Sequence, residues 1–314
     1  MSDLRIVFMG TPDFAVATLD ALLKANYNIV GIITAPDRPA GRGRKLRQSA
    51  VKAFALQQNL HILQPTNLKN AVFLETLKEL NADLQIVVAF RMLPKVVWDM
   101  PKYGTFNLHA SLLPDYRGAA PINWAIINGE KTSGVTTFFI NEKIDTGAII
   151  LQKEVDISEK ENVGELHDKL MKIGSDLVTK TVALIDGDKV HIKEQELIEG
   201  KSAPKLNKDN CKINWNDPIQ KIYDHIRGLS PYPVAWTTLN NNKEQIEVKI
   251  YEVEKILEPH TMEKGTIISS KKELMVAVED GFLNILEIKL PGKRKMDVKS
   301  LLNGFTIYEN AKMV

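Results

Sequence analysis

Asn107 and His109 stand two residues apart within Thr105–His109, and an amide beside an imidazole is a pair suited to acyl transfer. On a strand, side chains alternate between faces, so these two project together while Phe106 and Leu108 face the other way. The amide can donate hydrogen bonds to a developing oxyanion, and the imidazole can accept the proton lost by an attacking amine. Taken alone, the spacing equally allows Asn107 to cap a turn and His109 to be a satisfied core histidine. Asp145 opens the tripeptide Asp145–Gly147, which on its own is a common turn.

The flanking pattern says how these groups are carried. Short apolar runs at Arg5–Met9, Ile29–Thr34, Leu84–Val88, Tyr103–His109, Val135–Ile140 and Ala148–Val155 read as strands. Helical spacing connects them at Pro12–Ala25, Gln48–Gln58 and Val163–Ile185. Buried strands alternating with helices predict an α/β fold with a doubly wound, mostly parallel, Rossmann-like sheet. Asn107 and His109 then lie at the carboxyl end of their strand, where open α/β sheets form their ligand crevice. Gly10–Phe14 lacks the Gly-x-Gly-x-x-Gly dinucleotide fingerprint.

The composition changes near Asp186, where polar and turn-forming residues begin. Beyond Trp215 come short alternating strands at Ala235–Leu239, Ile246–Val253, Gly265–Ser269, Leu274–Val278 and Phe282–Lys289. This spacing predicts a small β-barrel of the oligonucleotide-binding (OB-like) type. The expected division is a catalytic domain over 1–189, a linker over 190–207 and the barrel over 208–314. A length of 314 residues suits two domains.

With 41 Lys plus Arg against 39 Asp plus Glu, net charge argues against a protein that coats nucleic acid nonspecifically, and any RNA contact must come from local basic patches. No apolar run approaches the roughly 20 residues that span a bilayer, so no membrane association is expected. Met1–Met9 has no basic region and no long apolar stretch, which predicts no secretory leader. A single cysteine, Cys211, excludes an intrachain disulfide and a cysteine zinc cluster. The expectation is a monomer in a reducing cytoplasm, with no metal.

Downstream of the amide–imidazole pair come Ser111–Pro114 (Ser-Leu-Leu-Pro) and Arg117–Gly118. In this register the segment resembles the folate-dependent formyltransferase family, whose members act on methionyl-tRNA, glycinamide ribonucleotide or aminosugars. The resemblance covers essentially the whole chain. It implies Asn107, His109 and Asp145 as catalytic residues, Ser111, Leu112, Leu113 and Pro114 at the folate, and 10-formyltetrahydrofolate as formyl donor.

Within that family, Gly10–Phe14 and the basic stretch Ala35–Arg47 are similar to the tRNA-acting branch. The stretch reads as a flexible exposed loop, and its cations Arg38, Arg42, Arg44, Lys45 and Arg47 suit phosphate. Arg42 matches the arginine with which that branch engages an acceptor stem, so the resemblance implies initiator methionyl-tRNA as acceptor. Lys293, Arg294 and Lys295 form a second basic strip, in the barrel. Two departures from the family pattern stand out. Phe90–Pro94 is one residue short with Arg91 in place of glycine, in a loop that borders the pterin in relatives, and Lys143 replaces a glycine before the aspartate turn.

Overall fold

A computed structural model describes residues 3–40, 45–196 and 200–314. These form two compact units. Unit 1 comprises Met1–Gly118, Ser133–Val155 and His167–Ser202; unit 2 comprises Ala119–Thr132, Asp156–Leu166 and Ala203–Val314.

Unit 1 is built on a seven-stranded sheet. Its strands are β1 (Arg5–Gly10), β2 (Asn28–Ile33), β3 (Ile62–Leu63), β4 (Leu84–Val88), β5 (Thr105–His109), β6 (Thr132–Phe139) and β7 (Ile149–Asp156), in the order β7-β6-β5-β4-β1-β2-β3. Pairing from β3 through β5 is parallel, and β6 runs antiparallel to β5. The expected doubly wound sheet is therefore present. The central strands are apolar on both faces because helices cover both: Ile6, Val7, Phe8 and Met9 are fully buried. Each such side chain is worth about 1.5–3 kcal/mol of burial.

Helix α1 (Asp13–Lys24) leaves the end of β1 so closely that a Cβ on Gly10 would lie 2.5 Å from that of Ala15, which is why glycine ends the strand. Helix α2 (Ala50–Gln57) is capped by Ser49, whose hydroxyl accepts the Lys52 N–H. Helix α3 (Ala71–Glu79), which the apolar spacing did not announce, is capped in the same way by Asn70.

The two described ends of the basic stretch after β2 pair as short strands. Arg38–Ala40 pairs antiparallel with Lys45–Arg47. At its base, Asp37 accepts from Lys52 at 2.6 Å and Gln64 at 2.8 Å, contacts that hold its carboxyl below the usual range. Arg42 and Arg44 lie outside the described residues.

In unit 2, strands β8 (Ala235–Asn241), β9 (Glu244–Ile256), β10 (Ile267–Ser269), β11 (Leu274–Val278), β12 (Gly281–Lys289) and β13 (Lys312–Met313) are ordered β10-β11-β12-β9-β8-β13. Thr266 bridges Lys312, so the antiparallel sheet curls into a nearly closed barrel. Inside it, Trp215 donates to the Thr237 hydroxyl, which in turn donates to the Val314 carbonyl. The helices of this unit include α4 (Pro121–Ile127) and the longer Ile219–Leu229. They pack where Gly228 approaches Ile127, and Asn123 donates to the Gly228 carbonyl at 2.8 Å. Asp224 and Arg227 form a buried pair at 2.7 Å, and Arg227 also donates to the Glu161 carbonyl, which ties segment 156–166 into this unit. Breaking such a buried pair typically costs about 3–5 kcal/mol. Among the described residues, no helix is long and apolar enough to cross a membrane.

Candidate active site at the sheet end and a basic barrel face

β5 carries Asn107 and His109 on one face, with Phe106 and Leu108 buried on the other. Two residues of strand separate the pair by about 6.6 Å along the backbone, room for a reacting carbon between them. His109 is 6% exposed. Its Nε2 lies 2.8 Å from the Tyr116 carbonyl, which can only accept, so Nε2 carries the proton and Nδ1 is the basic nitrogen. Nδ1 faces Asp145 Oδ2 at 3.8 Å. That is an ion-pair distance once the ring is charged, but too long for a hydrogen bond. The Tyr116 carbonyl thus fixes the ring from the nitrogen opposite Asp145, a contact that residue types alone did not reveal. Among the described residues the Asn107 amide forms no hydrogen bond, leaving its donors for a ligand.

Asp145 sits on a backbone with φ +52°, and its Oδ2 accepts the Gly118 N–H at 3.0 Å. Gly147 ends the turn where a Cβ would lie 1.7 Å from the Phe139 carbonyl oxygen, so only glycine fits. Lys143 leaves the turn intact: its N–H and the Thr146 hydroxyl both donate to Asn141 Oδ1.

The four residues expected at the folate divide in two. Ser111 and Leu113 are buried; the Ser111 hydroxyl donates to the Asp115 carbonyl, and Leu113 packs with Phe138 and Ile149. Leu112 and Pro114 are half-buried. Beneath them, Thr136 Oγ1 donates to the Ser111 carbonyl and accepts from Leu113 N–H, and Gln152 donates to the Leu113 carbonyl. Ser111 and Leu113 therefore shape the loop, while Leu112 and Pro114 present surface.

The shortened loop at Arg91 is anchored. Arg91 donates to the Thr66 carbonyl at 2.9 Å and to the Pro65 carbonyl, bordering a cavity of about 650 Å³ lined in part by Asn67, Leu68, Leu93 and Pro94. Burial and the nearby Arg38 both lower the Arg91 pKa, which places a hairpin cation beside this loop.

A row across three barrel strands was missed in the sequence because its members are remote along the chain. Lys212 bridges Trp236, Trp236 pairs with Lys249, and Lys249 with Lys289. Directly opposed residues share a face, so three cations and an indole line up on the outside of the barrel. Lys208 lies 4.7 Å and Lys212 5.6 Å from the Trp236 ring. Lys293 and Arg294 are exposed, while Lys295 is engaged with Glu287 at 2.6 Å and lies over Tyr251. No group of described residues could hold a metal ion.

Residues 4–182 match the formyl transferase family model and residues 205–306 match the model of the formyl transferase C-terminal domain. An N-formyltransferase from Helicobacter canadensis, solved with folinic acid and dTDP-3-aminofucose, shares the fold: its TM-score is 0.68 at 23% identity, over 90% of this chain and 98% of that one. The class is thus a two-domain formyl transferase. The methionyl-tRNA formyltransferase of Flavobacterium johnsoniae is 57% identical over the full length of both chains. That of Bacteroides thetaiotaomicron is 54% identical over 99% of this chain and 98% of its own. By these matches the chain belongs to the methionyl-tRNA formyltransferase family.

Proposed function

We propose that this protein transfers the formyl group of 10-formyltetrahydrofolate to the α-amine of initiator methionyl-tRNA, with Asn107, His109 and Asp145 as its catalytic residues. The observation that carries the reading is an uncommitted Asn107 amide beside a His109 whose basic Nδ1 faces Asp145, in a chain more than half identical throughout to named methionyl-tRNA formyltransferases. The neutral amine attacks the formyl carbon and a C–N bond forms. Asn107 donates to the oxyanion, a contribution of about 3 kcal/mol where such donors have been removed elsewhere. His109 Nδ1 takes the amine's proton, and Asp145 stabilises the resulting imidazolium. The bond to folate N10 then breaks, N10 is protonated, and tetrahydrofolate leaves.

The folate is assigned to the surface of Leu112 and Pro114, with Ser111 and Leu113 holding that loop in shape. The acceptor stem is assigned to the basic stretch that carries Arg38, Arg42, Arg44 and Lys45. The tRNA body is assigned to residues 208–314, through Lys293, Arg294 and Lys295 together with the Lys212–Lys289 row, which adds charge complementary to phosphate. Residues 1–189 would then be the catalytic part. We assign a monomer in the cytoplasm, testable by light scattering and by cell fractionation. Cys211 is buried, and burial pushes its thiol pKa up, which leaves it unreactive.

The deciding experiment is formylation of charged initiator tRNA by the purified protein, following acid-stable formylmethionine. Turnover that falls by roughly 10²–10⁴ in His109→Ala is expected. Turnover on nucleotide-linked aminosugars in place of tRNA would move the acceptor to that class.

A further inference from the structure

The stretch expected as a linker from residue 190 delivers a side chain to the site. Ile149 and Lys193 exchange N–H···O bonds of 2.8 Å in both directions, so the backbone around Lys193 runs antiparallel beside the start of β7. Two residues along each way, that register sets Gln195 opposite Gly147. Gln195 Nε2 donates to the carbonyls of Asp145 at 3.0 Å and Gly147 at 2.8 Å. Its Oε1 accepts from Arg117 Nη2 at 2.5 Å and Nε at 3.2 Å, and Arg117 Nε also reaches the Asp145 carbonyl at 3.0 Å. Both ends of the amide are used, and no other residue type places two donors and an acceptor at that reach.

At φ +52° Asp145 occupies the left-handed region, which aspartate tolerates better than most residues, and the hydrogen bonds around it hold that turn in one place. The turn is held from two sides: Gly118 fixes the carboxylate, while Gln195 and Arg117 fix the backbone carbonyls. We propose that Gln195 is a positioning residue for formyl transfer, which sets the Asp145 carboxylate relative to His109 Nδ1 by clamping the Asp145–Gly147 turn. The proposal rests on the assignment of Asp145 and His109 to the reaction. Among the described residues, Gln195 itself hydrogen-bonds only to Arg117 and the turn.

The test is steady-state formylation of charged initiator tRNA by full-length wild type, Gln195→Ala, Gln195→Glu, Asp145→Asn and the double variant Asp145→Asn/Gln195→Ala. Gln195→Glu keeps an acceptor for Arg117 but cannot donate to the two carbonyls when ionised, so it isolates the clamp even if Gln195→Ala folds poorly. Both Gln195 variants are expected to lower kcat by about tenfold, from two lost hydrogen bonds, with KM for either substrate within about twofold. On the Asp145→Asn background the Gln195→Ala change should cost less than about twofold, because the group it positions is gone. Wild-type kcat in Gln195→Glu, a loss confined to KM, or an equal penalty on both backgrounds overturns the proposal. A wild type silent on tRNA overturns the functional reading and this role with it; an active wild type beside a fully active Gln195→Glu overturns this role alone.

Discussion

The sheet end and the outer face of the barrel are both polar, yet they commit their polar atoms in opposite ways. At the sheet end nearly every group is tied to backbone: His109 to Tyr116, Ser111 to Asp115, Thr136 to Ser111. Among the described residues, the Asn107 amide and one imidazole nitrogen remain without a hydrogen bond. On the barrel face, Lys212, Lys249 and Lys289 have no carboxylate partner among the described residues, and Lys208 and Lys295 pair with Glu247 and Glu287 across long, solvated side chains. The first arrangement fixes a few atoms before a ligand arrives. The second spreads replaceable charge over a surface, which suits phosphates whose positions need not be exact.

That contrast can be broken by experiment. Its largest expected effect is at the sheet end: Asn107→Ala should lower kcat by about 10²–10³ with little change at any salt concentration, since an oxyanion donor is lost rather than a phosphate contact. A variant retaining more than half of wild-type kcat would remove Asn107 from the chemistry. A smaller effect is expected from Lys212→Ala/Lys249→Ala/Lys289→Ala together. Its tRNA affinity should fall about tenfold or more at low salt, and the log–log salt slope should shallow by about two, at roughly 0.7–0.9 per phosphate contact. An unchanged slope would mean that this face does not meet RNA.

The smallest effect sharpens the comparison inside unit 2. His225, on the helix Ile219–Leu229, has a buried Nε2 with no hydrogen-bond partner among the described residues. Burial lowers its pKa, with the Cys211 backbone and Asp217 opposing and Lys221 adding. The folded ring therefore resists a proton that the unfolded chain accepts near pH 6.5. Stability contributed by the neutral ring is complete well above that pH and declines as pH falls through it, by at most about 1.4 kcal/mol per unit. Urea midpoints between pH 7.5 and 5.5 should fall more steeply for wild type than for His225→Gln; parallel lines would show that the ring is not the source.

Local pattern made much of this molecule readable before any coordinates. The buried strands from Arg5–Met9 to Ala148–Val155 show their apolar runs, and Asn107 and His109 their common face. Unreadable were the features set by distant backbone. Tyr116 acts through a carbonyl, an atom every residue possesses, so nothing in its type marks it. Gln195 looked like linker because its register against Gly147 depends on the bridge between Ile149 and Lys193. The Lys212–Trp236–Lys249–Lys289 row exists only once four remote segments are paired. The helix Ile219–Leu229 was missed although Ile219, Ile222, Tyr223, Ile226 and Leu229 stand at helical spacing; what no spacing shows is the buried Asp224–Arg227 pair beside them.

The division of the chain has a consequence for taking it apart or recombining it. The two family segments meet between residues 182 and 205, yet α4, encoded well before that point, buries Ala125 and Ile126 with the unit that contains the barrel. A cut at that junction leaves α4 without the helix Ile219–Leu229, and a barrel borrowed from another relative arrives without its matching α4. Exchange between relatives is therefore clean only when three separate stretches of sequence travel together, which links substitutions near residue 125 to substitutions a hundred positions downstream.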